Sequence, residues 1–95
     1  MQKNQAYQII KDYFKDKPVS KVHVFGSYAR NEQKQTSDID IVIHAKQALG
    51  LFNLVRFKQD LTALLGISVD LTTEKGLSAY VLPFIQKDME VVYEQ

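Results

Sequence analysis

Cysteine and tryptophan are absent from this chain of 95 residues, and proline occurs only twice. Without cysteine the chain can form no disulfide and has no thiolate to act as a nucleophile or a metal ligand, which leaves the redox compartment open. The apolar runs are only a few residues long, so the sequence predicts no membrane-spanning helix and no signal peptide. We therefore expect a cytoplasmic protein.

An excess of charge of one sign is also missing. The chain has 12 Lys and Arg against 11 Asp and Glu, for a net charge of +1. The lysines between residues 11 and 21 are interleaved with Asp12 and Asp16, which is typical of a solvated helix face. Binding to duplex nucleic acid depends on many Lys and Arg contacts to phosphates. We therefore expect no direct nucleic-acid binding.

The remaining composition is that of an ordinary globular domain. Hydrophobic residues make up 45% of the chain and charged residues 24%, close to the usual values for folded proteins. The length predicts a single domain over residues 1–95. A chain of this size buries about two-thirds of its unfolded surface, which is enough for one modest core.

The hydrophobic pattern predicts two amphipathic helices, one short helix and four strands. Asn4 is the predicted N-cap of the first helix, Gly66 would end the second, and Pro83 suits the first turn of the third. The helices are predicted at about 4–16, about 51–65 and from about 82, and the strands at about 20–25, 38–44, 67–72 and 89–93. The predicted fold class is α/β (α+β), a mixed sheet of about four strands with helices packed chiefly on one face.

A glycine turn follows the first predicted strand, in the segment Gly26-Ser27-Tyr28-Ala29-Arg30. Gly26 permits backbone conformations closed to other residues and lets a ligand approach the main chain. Ser27 offers a hydroxyl and an N–H group. The residues after it, through about Asn31, predict a short helix whose N-terminus would face an anion such as phosphate.

Two carboxylates, Asp38 and Asp40, open the second predicted strand. Residues two apart in a strand point to the same face, at a separation of roughly 7 Å. Like charges held together repel unless a positive group lies between them, and Mg²⁺ is usually held by one or two carboxylates plus substrate phosphates. Alternatively, Ser37-Asp38 forms a turn and Asp40 begins an exposed edge, because aspartate is depleted in strands.

Taken together, these residues resemble a known signature. Gly26-Ser27, ten residues and then Asp38-x-Asp40 resemble the G-S-x10-D-x-D pattern of the DNA polymerase beta-like nucleotidyltransferase superfamily, and Arg30 and Ser37 fit its fuller form. The chain resembles a minimal nucleotidyltransferase, a type often encoded beside a HEPN-domain protein as a toxin–antitoxin pair. Asn31 stands where the family usually has glycine. Asparagine tolerates left-handed backbone, so we expect the turn to survive.

The resemblance implies a nucleotidyltransferase fold with ATP as the substrate and two Mg²⁺ ions as cofactors. Asp38, Asp40 and Asp70 would be both catalytic residues and metal ligands. Asp70 would act as a general base or as a ligand of the second ion; alternatively, it is a solvent-facing carboxylate at a strand end. Gly26 and Ser27 would hold phosphate oxygens.

Four further side chains have less specific interpretations. Arg30 would either contact phosphate with the glycine turn or form a structural ion pair. Tyr28 would line the nucleotide pocket or pack in the core. His23 and His44 have no partner at metal-ligand spacing, and we interpret both as structural.

By resemblance, the predicted function is transfer of AMP from ATP to a hydroxyl acceptor, most simply a tyrosine of a partner HEPN ribonuclease toxin that is thereby neutralised. The chain has no added domain that could hold an acceptor, so the acceptor site would be shared with a second chain. A binding module is the alternative, an antitoxin that neutralises its partner by docking alone. A third hypothesis is adenylyl transfer to a small-molecule alcohol.

Overall fold

The computed structural model describes all residues from 1 to 95. Three α-helices, four strands and one short 3-10 helix alternate along the chain. In order they are α1 (Lys3–Phe14), β1 (Val19–Phe25), β2 (Ile39–Ala45), α2 (Leu51–Leu65), β3 (Val69–Thr73), the 3-10 helix (Glu74–Gly76), α3 (Leu82–Gln86) and β4 (Glu90–Glu94). No helix is both long and apolar enough to cross a lipid bilayer.

The four strands form one mixed sheet in the order β3-β2-β1-β4. β1 pairs antiparallel with β2 and β4, whereas β2 and β3 are parallel. Parallel neighbours need a crossover connection, and here α2 provides it. The predicted sheet of about four strands is confirmed.

The hydrophobic core lies between one face of the sheet and the first two helices. α1 and α2 each contribute residues at helical spacing, and the strands contribute alternate residues. The central members are Ala6, Ile10, Phe14, Phe57, Leu61 and Leu65 from the helices and Val22, Val24, Ile39, Ile41 and Ile43 from the strands. Burying a side chain of this size stabilises the fold by roughly 1.5–3 kcal/mol. The other face of the sheet carries Asp40, Val42 and His44.

The prediction for the C-terminus of α2 is confirmed, whereas the prediction for the N-terminus of α1 is wrong. Gly66 follows α2 in the left-handed conformation, with φ of 70°, and its N–H donates to the carbonyl of Thr62, so this predicted helix end is confirmed. The predicted N-cap of α1 is wrong. Gln2, with extended backbone, occupies that position without a side-chain cap bond, and Asn4 is already helical.

Candidate active site

The sheet topology brings three distant parts of the chain to one edge. β1 runs antiparallel to β2, so its last residue, Phe25, pairs with Asp40 near the start of β2. β3 runs parallel to β2, so Asp70 near its start also pairs with Asp40. The glycine turn, the Asp38–Asp40 segment and Asp70 therefore lie at the same end of these strands.

The Gly26 backbone lies against the Asp40 carboxylate. Its φ of +77° lies in the left-handed region, and a Cβ built there would collide with Asp40 Oδ2. Glycine is required for both reasons, because it removes the conformational penalty and leaves room for the carboxylate. Gly26 and Ser27 are both half-buried, so the turn remains accessible.

The segment after Gly26 is a single helical turn, and the prediction of a short helix is wrong. The Arg30 N–H donates to the Gly26 carbonyl at 3.1 Å, but Asn31 then adopts φ of 59°. The Glu32 N–H turns back to the Ser27 carbonyl at 2.8 Å, a helix-ending pattern that satisfies carbonyls after one turn. The left-handed tolerance expected of Asn31 is confirmed.

Asp40 sits in an environment that disfavours its charge. Partial burial is the largest cause, followed by the neighbouring carboxylates of Asp70 and Asp38, and together they raise the pKa of Asp40 to about 6. Arg30 opposes this effect, whereas hydrogen bonding with Asp70 adds to it. Asp38 was predicted to lie within the second strand. It instead lies one residue before β2 and is exposed.

We expect the Asp40→Asn substitution to stabilise the fold in a pH-dependent way. The pKa of Asp40 is raised from 3.8 to about 6 in the folded state. The folded state therefore binds more protons than the unfolded state between those values, and the wild-type free energy of unfolding falls as pH rises through them. Asparagine avoids this loss. After allowance for partial exposure, the variant should be more stable by about 1 kcal/mol at pH 7.5 and nearly equal at pH 4.

Urea unfolding of both proteins at the two pH values measures this difference. The Asp12→Asn variant, which changes an exposed carboxylate on α1, is the matched control. An Asp40→Asn variant that is no more stable than the wild type at pH 7.5 would contradict the electrostatic account.

The carboxylates fit a divalent cation by their chemistry. No group of three or more His, Asp or Glu side chains converges tightly enough to enclose a metal ion by itself. Asp40 and Asp70, however, are adjacent carboxylates whose mutual repulsion a cation would relieve. Mg²⁺ needs only one or two protein carboxylates when substrate phosphates complete its coordination. Assigning Asp38, Asp40 and Asp70 as metal ligands stays a prediction.

Arg30 forms an ion pair that links the glycine turn to the segment after α3. Its Nη1 lies 2.8 Å from Asp88 Oδ2, and its Nε lies 3.5 Å from Glu32 Oε2. The structural ion pair left open by the sequence is thus present, and phosphate contact by Arg30 stays a prediction.

Tyr28 packs in the core. Only 1% of its surface is exposed, and it belongs to the main hydrophobic cluster. Of the two interpretations that the sequence left open, packing is therefore the correct one.

The sequence missed a partnership between the two histidines. His23 Nδ1 lies 3.1 Å from His44 Nε2, and His44 Nδ1 lies 2.6 Å from Glu74 Oε2. Both histidines lie on the Asp40 face of the sheet, since His23 pairs with Val42. Strand alternation placed each on a face, but the pairing register across the intervening loop could not be predicted.

The chain is similar in sequence to known proteins. A family model described as "Nucleotidyltransferase domain" matches residues 6–92. A Methanocaldococcus jannaschii protein, provisionally named a protein adenylyltransferase, is 42% identical over 83 residues, covering 86% of this chain and 82% of that protein. The protein adenylyltransferase MntA of Thermococcus cleftensis is 36% identical over 75 residues, covering 79% of this chain and 74% of its own.

One solved structure with a similar fold is a complex. It contains a tri-AMPylated Shewanella oneidensis HEPN toxin and an MNT antitoxin. The matching chain superposes with a TM-score of 0.68 at 20% identity, covering 98% of this chain and 70% of that one. At this identity the likeness concerns the fold.

Proposed function

Because the chain belongs to the nucleotidyltransferase domain family, we propose that it transfers AMP from ATP to a hydroxyl group of a partner protein. The acceptor is a tyrosine of a HEPN ribonuclease toxin, and the modification neutralises it. This proposal extends to the chain what is named for its adenylyltransferase relatives and for the AMPylated HEPN toxin. The reaction takes place in the cytoplasm.

One observation carries the proposal: the Gly26 turn lies directly against Asp40, which in turn pairs with Asp70. A backbone turn that accepts a close ligand is thus beside two carboxylates that repel each other. A triphosphate has phosphate oxygens that the turn can bind, and its counter-ions would neutralise the carboxylates. Each half of the site therefore suits the same ligand, a nucleoside triphosphate with Mg²⁺.

The residues divide the work of nucleotidyl transfer. The Gly26 and Ser27 backbone and the Ser27 hydroxyl hold phosphate oxygens, and Arg30 adds positive charge beside them. Asp38, Asp40 and Asp70 would hold two Mg²⁺ ions, which would supply charge stabilisation for the attacking and leaving oxygens. Catalysis of this kind consists mainly of positioning and charge neutralisation, which suits a site on rigid strand ends.

The test is transfer of label from ATP labelled at the α-phosphate. The chain is incubated with Mg²⁺ and a HEPN toxin, and the toxin is analysed for covalently bound AMP. We expect label on the partner with the wild type and none above background with Asp38→Ala. Asp16→Ala, an exposed carboxylate outside the site, is the matched control and should transfer normally.

The docking alternative predicts a different result in the same experiment. A binding-only antitoxin inhibits its partner without labelling it, and inhibition persists in Asp38→Ala. Inhibition that requires both ATP and Asp38 supports the proposed enzymatic activity. Inhibition that persists when ATP is omitted or when Asp38 is replaced overturns the proposal.

A further inference from the structure

A cleft of about 840 Å³ opens on the same sheet face as Asp40. Neither the glycine turn nor the three aspartates line it. Its floor is the sheet and its wall is the chain from the 3-10 helix to the start of β4. The lining combines apolar side chains, Val42, Leu77, Leu82 and Met89, with His23, His44, Glu74, Lys75 and Gln86. An apolar cleft with a few convergent polar groups is the usual form of a ligand site.

This cleft adjoins the Asp40–Asp70 pair. Val42 follows Asp40 by two residues on the same face, and His23 lies opposite Val42 on the neighbouring strand. Diagonal neighbours of this kind are about 7–8 Å apart, within reach of a ligand that touches both. A group bound in the cleft can therefore present an atom to the phosphate end of the site.

Three polar side chains of the cleft are linked by hydrogen bonds that run in one direction, from His23 through His44 to Glu74. Glu74 accepts the Nδ1 proton of His44 at 2.6 Å, which leaves His44 Nε2 as an acceptor for the Nδ1 proton of His23 at 3.1 Å. In this arrangement the other nitrogen of His23, Nε2, carries a lone pair and has no partner within the chain. A lone pair in an apolar cleft suits a hydroxyl donor.

We propose that this cleft receives the acceptor side chain, an aromatic hydroxyl, and that His23 Nε2 accepts the hydrogen bond and then the proton of that hydroxyl. His44 and Glu74 are positioning residues that hold the His23 ring and its tautomer. The inference rests on the proposed function, which it deepens by separating the proton acceptor from Asp70. Asp70 then has a single role, as a cation ligand.

The acceptor oxygen forms a bond to the α-phosphorus of ATP, while the bond between that phosphorus and the oxygen bridging to the β-phosphate breaks. Pyrophosphate leaves with the electron pair of the broken bond. The hydroxyl proton passes to His23 Nε2, and the Nδ1 proton of His23 can shift to His44, whose own Nδ1 proton faces the Glu74 carboxylate.

Exposed apolar side chains beside the cleft favour a protein acceptor over the adenine ring as the occupant. Tyr80 is 88% exposed and Phe84 is 78% exposed, and both stand on the same segment as Leu77, Leu82 and Gln86 of the lining. A nucleotide base buried in the cleft would leave this apolar surface in water. A protein that delivers a side chain into the cleft would cover it.

Filling the cleft tests the occupant. Leu82→Trp places a bulky ring in the cleft, and Leu64→Trp, an exposed position on α2, is the matched control. We expect Leu82→Trp to raise the KM for the acceptor protein at least tenfold and to leave the Kd for ATP within twofold. A rise in the ATP Kd with an unchanged acceptor KM would overturn the inference, because the cleft would then hold the nucleotide.

Substitutions of His23 and Glu74 test the role of His23 as the proton acceptor. We expect His23→Ala to lower kcat by roughly 10²-fold, as for loss of a general base, with an unchanged ATP Kd. His23 also faces Lys21 and Glu94 on the strands and shares the cleft with His44, Glu74 and Lys75. Each pH profile is therefore compared with the wild-type profile. Glu74→Gln should move the acid limb of the kcat profile to lower pH, because a nearby anion that favours the charged imidazole is lost. An unshifted limb, or a His23→Ala variant with normal kcat, contradicts the assignment.

Binding of a small phenol separates failure of this inference from failure of the proposed function. N-acetyltyrosinamide is titrated into the wild type and Leu82→Trp with Mg²⁺ and a non-hydrolysable ATP analogue, and the His23 imidazole is followed by NMR. We expect a saturable shift in the wild type and none in Leu82→Trp. This readout needs no AMP transfer, so a wild type that binds the phenol but labels no partner refutes only the proposed function. Absence of any shift in the wild type refutes the cleft as the acceptor site.

Discussion

AMP transfer by the Asp40→Asn variant is expected to fall by roughly 10²- to 10³-fold, the usual cost of losing one preorganised electrostatic group. Asparagine keeps the size of the side chain but removes the negative charge that faces Asp70 and Asp38. Without that charge the site has less to offer a cation and a triphosphate. The fold itself should become more stable at neutral pH, so activity and stability are expected to change in opposite directions.

Single-turnover transfer of labelled AMP at saturating ATP measures the first effect. Mg²⁺ should raise the melting temperature of the wild type more than that of Asp40→Asn, because the variant lacks one proposed ligand. Asp12→Asn on α1 serves again as the control and should transfer at the wild-type rate. Transfer by Asp40→Asn within threefold of the wild type would remove Asp40 from the catalytic machinery.

Gly26→Ala is expected to damage both stability and activity. The left-handed backbone of Gly26, with φ of +77°, costs roughly 1–2 kcal/mol for a residue with a Cβ. The added Cβ would also collide with Asp40 Oδ2, so the carboxylate has to move. A displacement of about 1 Å in a site of this kind can lower the rate by about 10²-fold, and we expect an effect of that order on AMP transfer.

Gly66→Ala is a control that separates these two effects. Gly66 has nearly the same backbone conformation, with φ of +70°, but a Cβ there would meet nothing within 4 Å. We expect a similar loss of stability, about 1–2 kcal/mol by urea unfolding, with AMP transfer unchanged. Normal transfer by Gly26→Ala, or equal loss of transfer in both variants, would contradict a catalytic role for the contact between Gly26 and Asp40.

Local features of this protein could be predicted because they depend on neighbours in the sequence. The apolar spacing between Leu51 and Leu65 and the glycine that follows defined α2 and its end. The alternation around Val22–Phe25 and Ile39–Ile43 defined the two central strands. Asn31 was expected to accept left-handed backbone, and it does so because the turn reverses there. The N-cap at Asn4 was wrong, since a capping-type residue does not by itself set where a helix begins.

The sequence by itself determined which residues could do the chemistry, since the glycine turn and the spaced aspartates follow from residue type and order. Only the tertiary structure decided which side chains meet. Pairing between strands joins Asp40 to Asp70 and brings His23 within hydrogen-bond distance of His44. Core packing buries Tyr28, and Arg30 reaches Asp88 across the fold. These contacts join residues far apart in the chain, and their register depends on how the whole core packs. No local pattern contains that information, and this is the physical reason why the cleft beside the aspartates could be found only in the folded molecule.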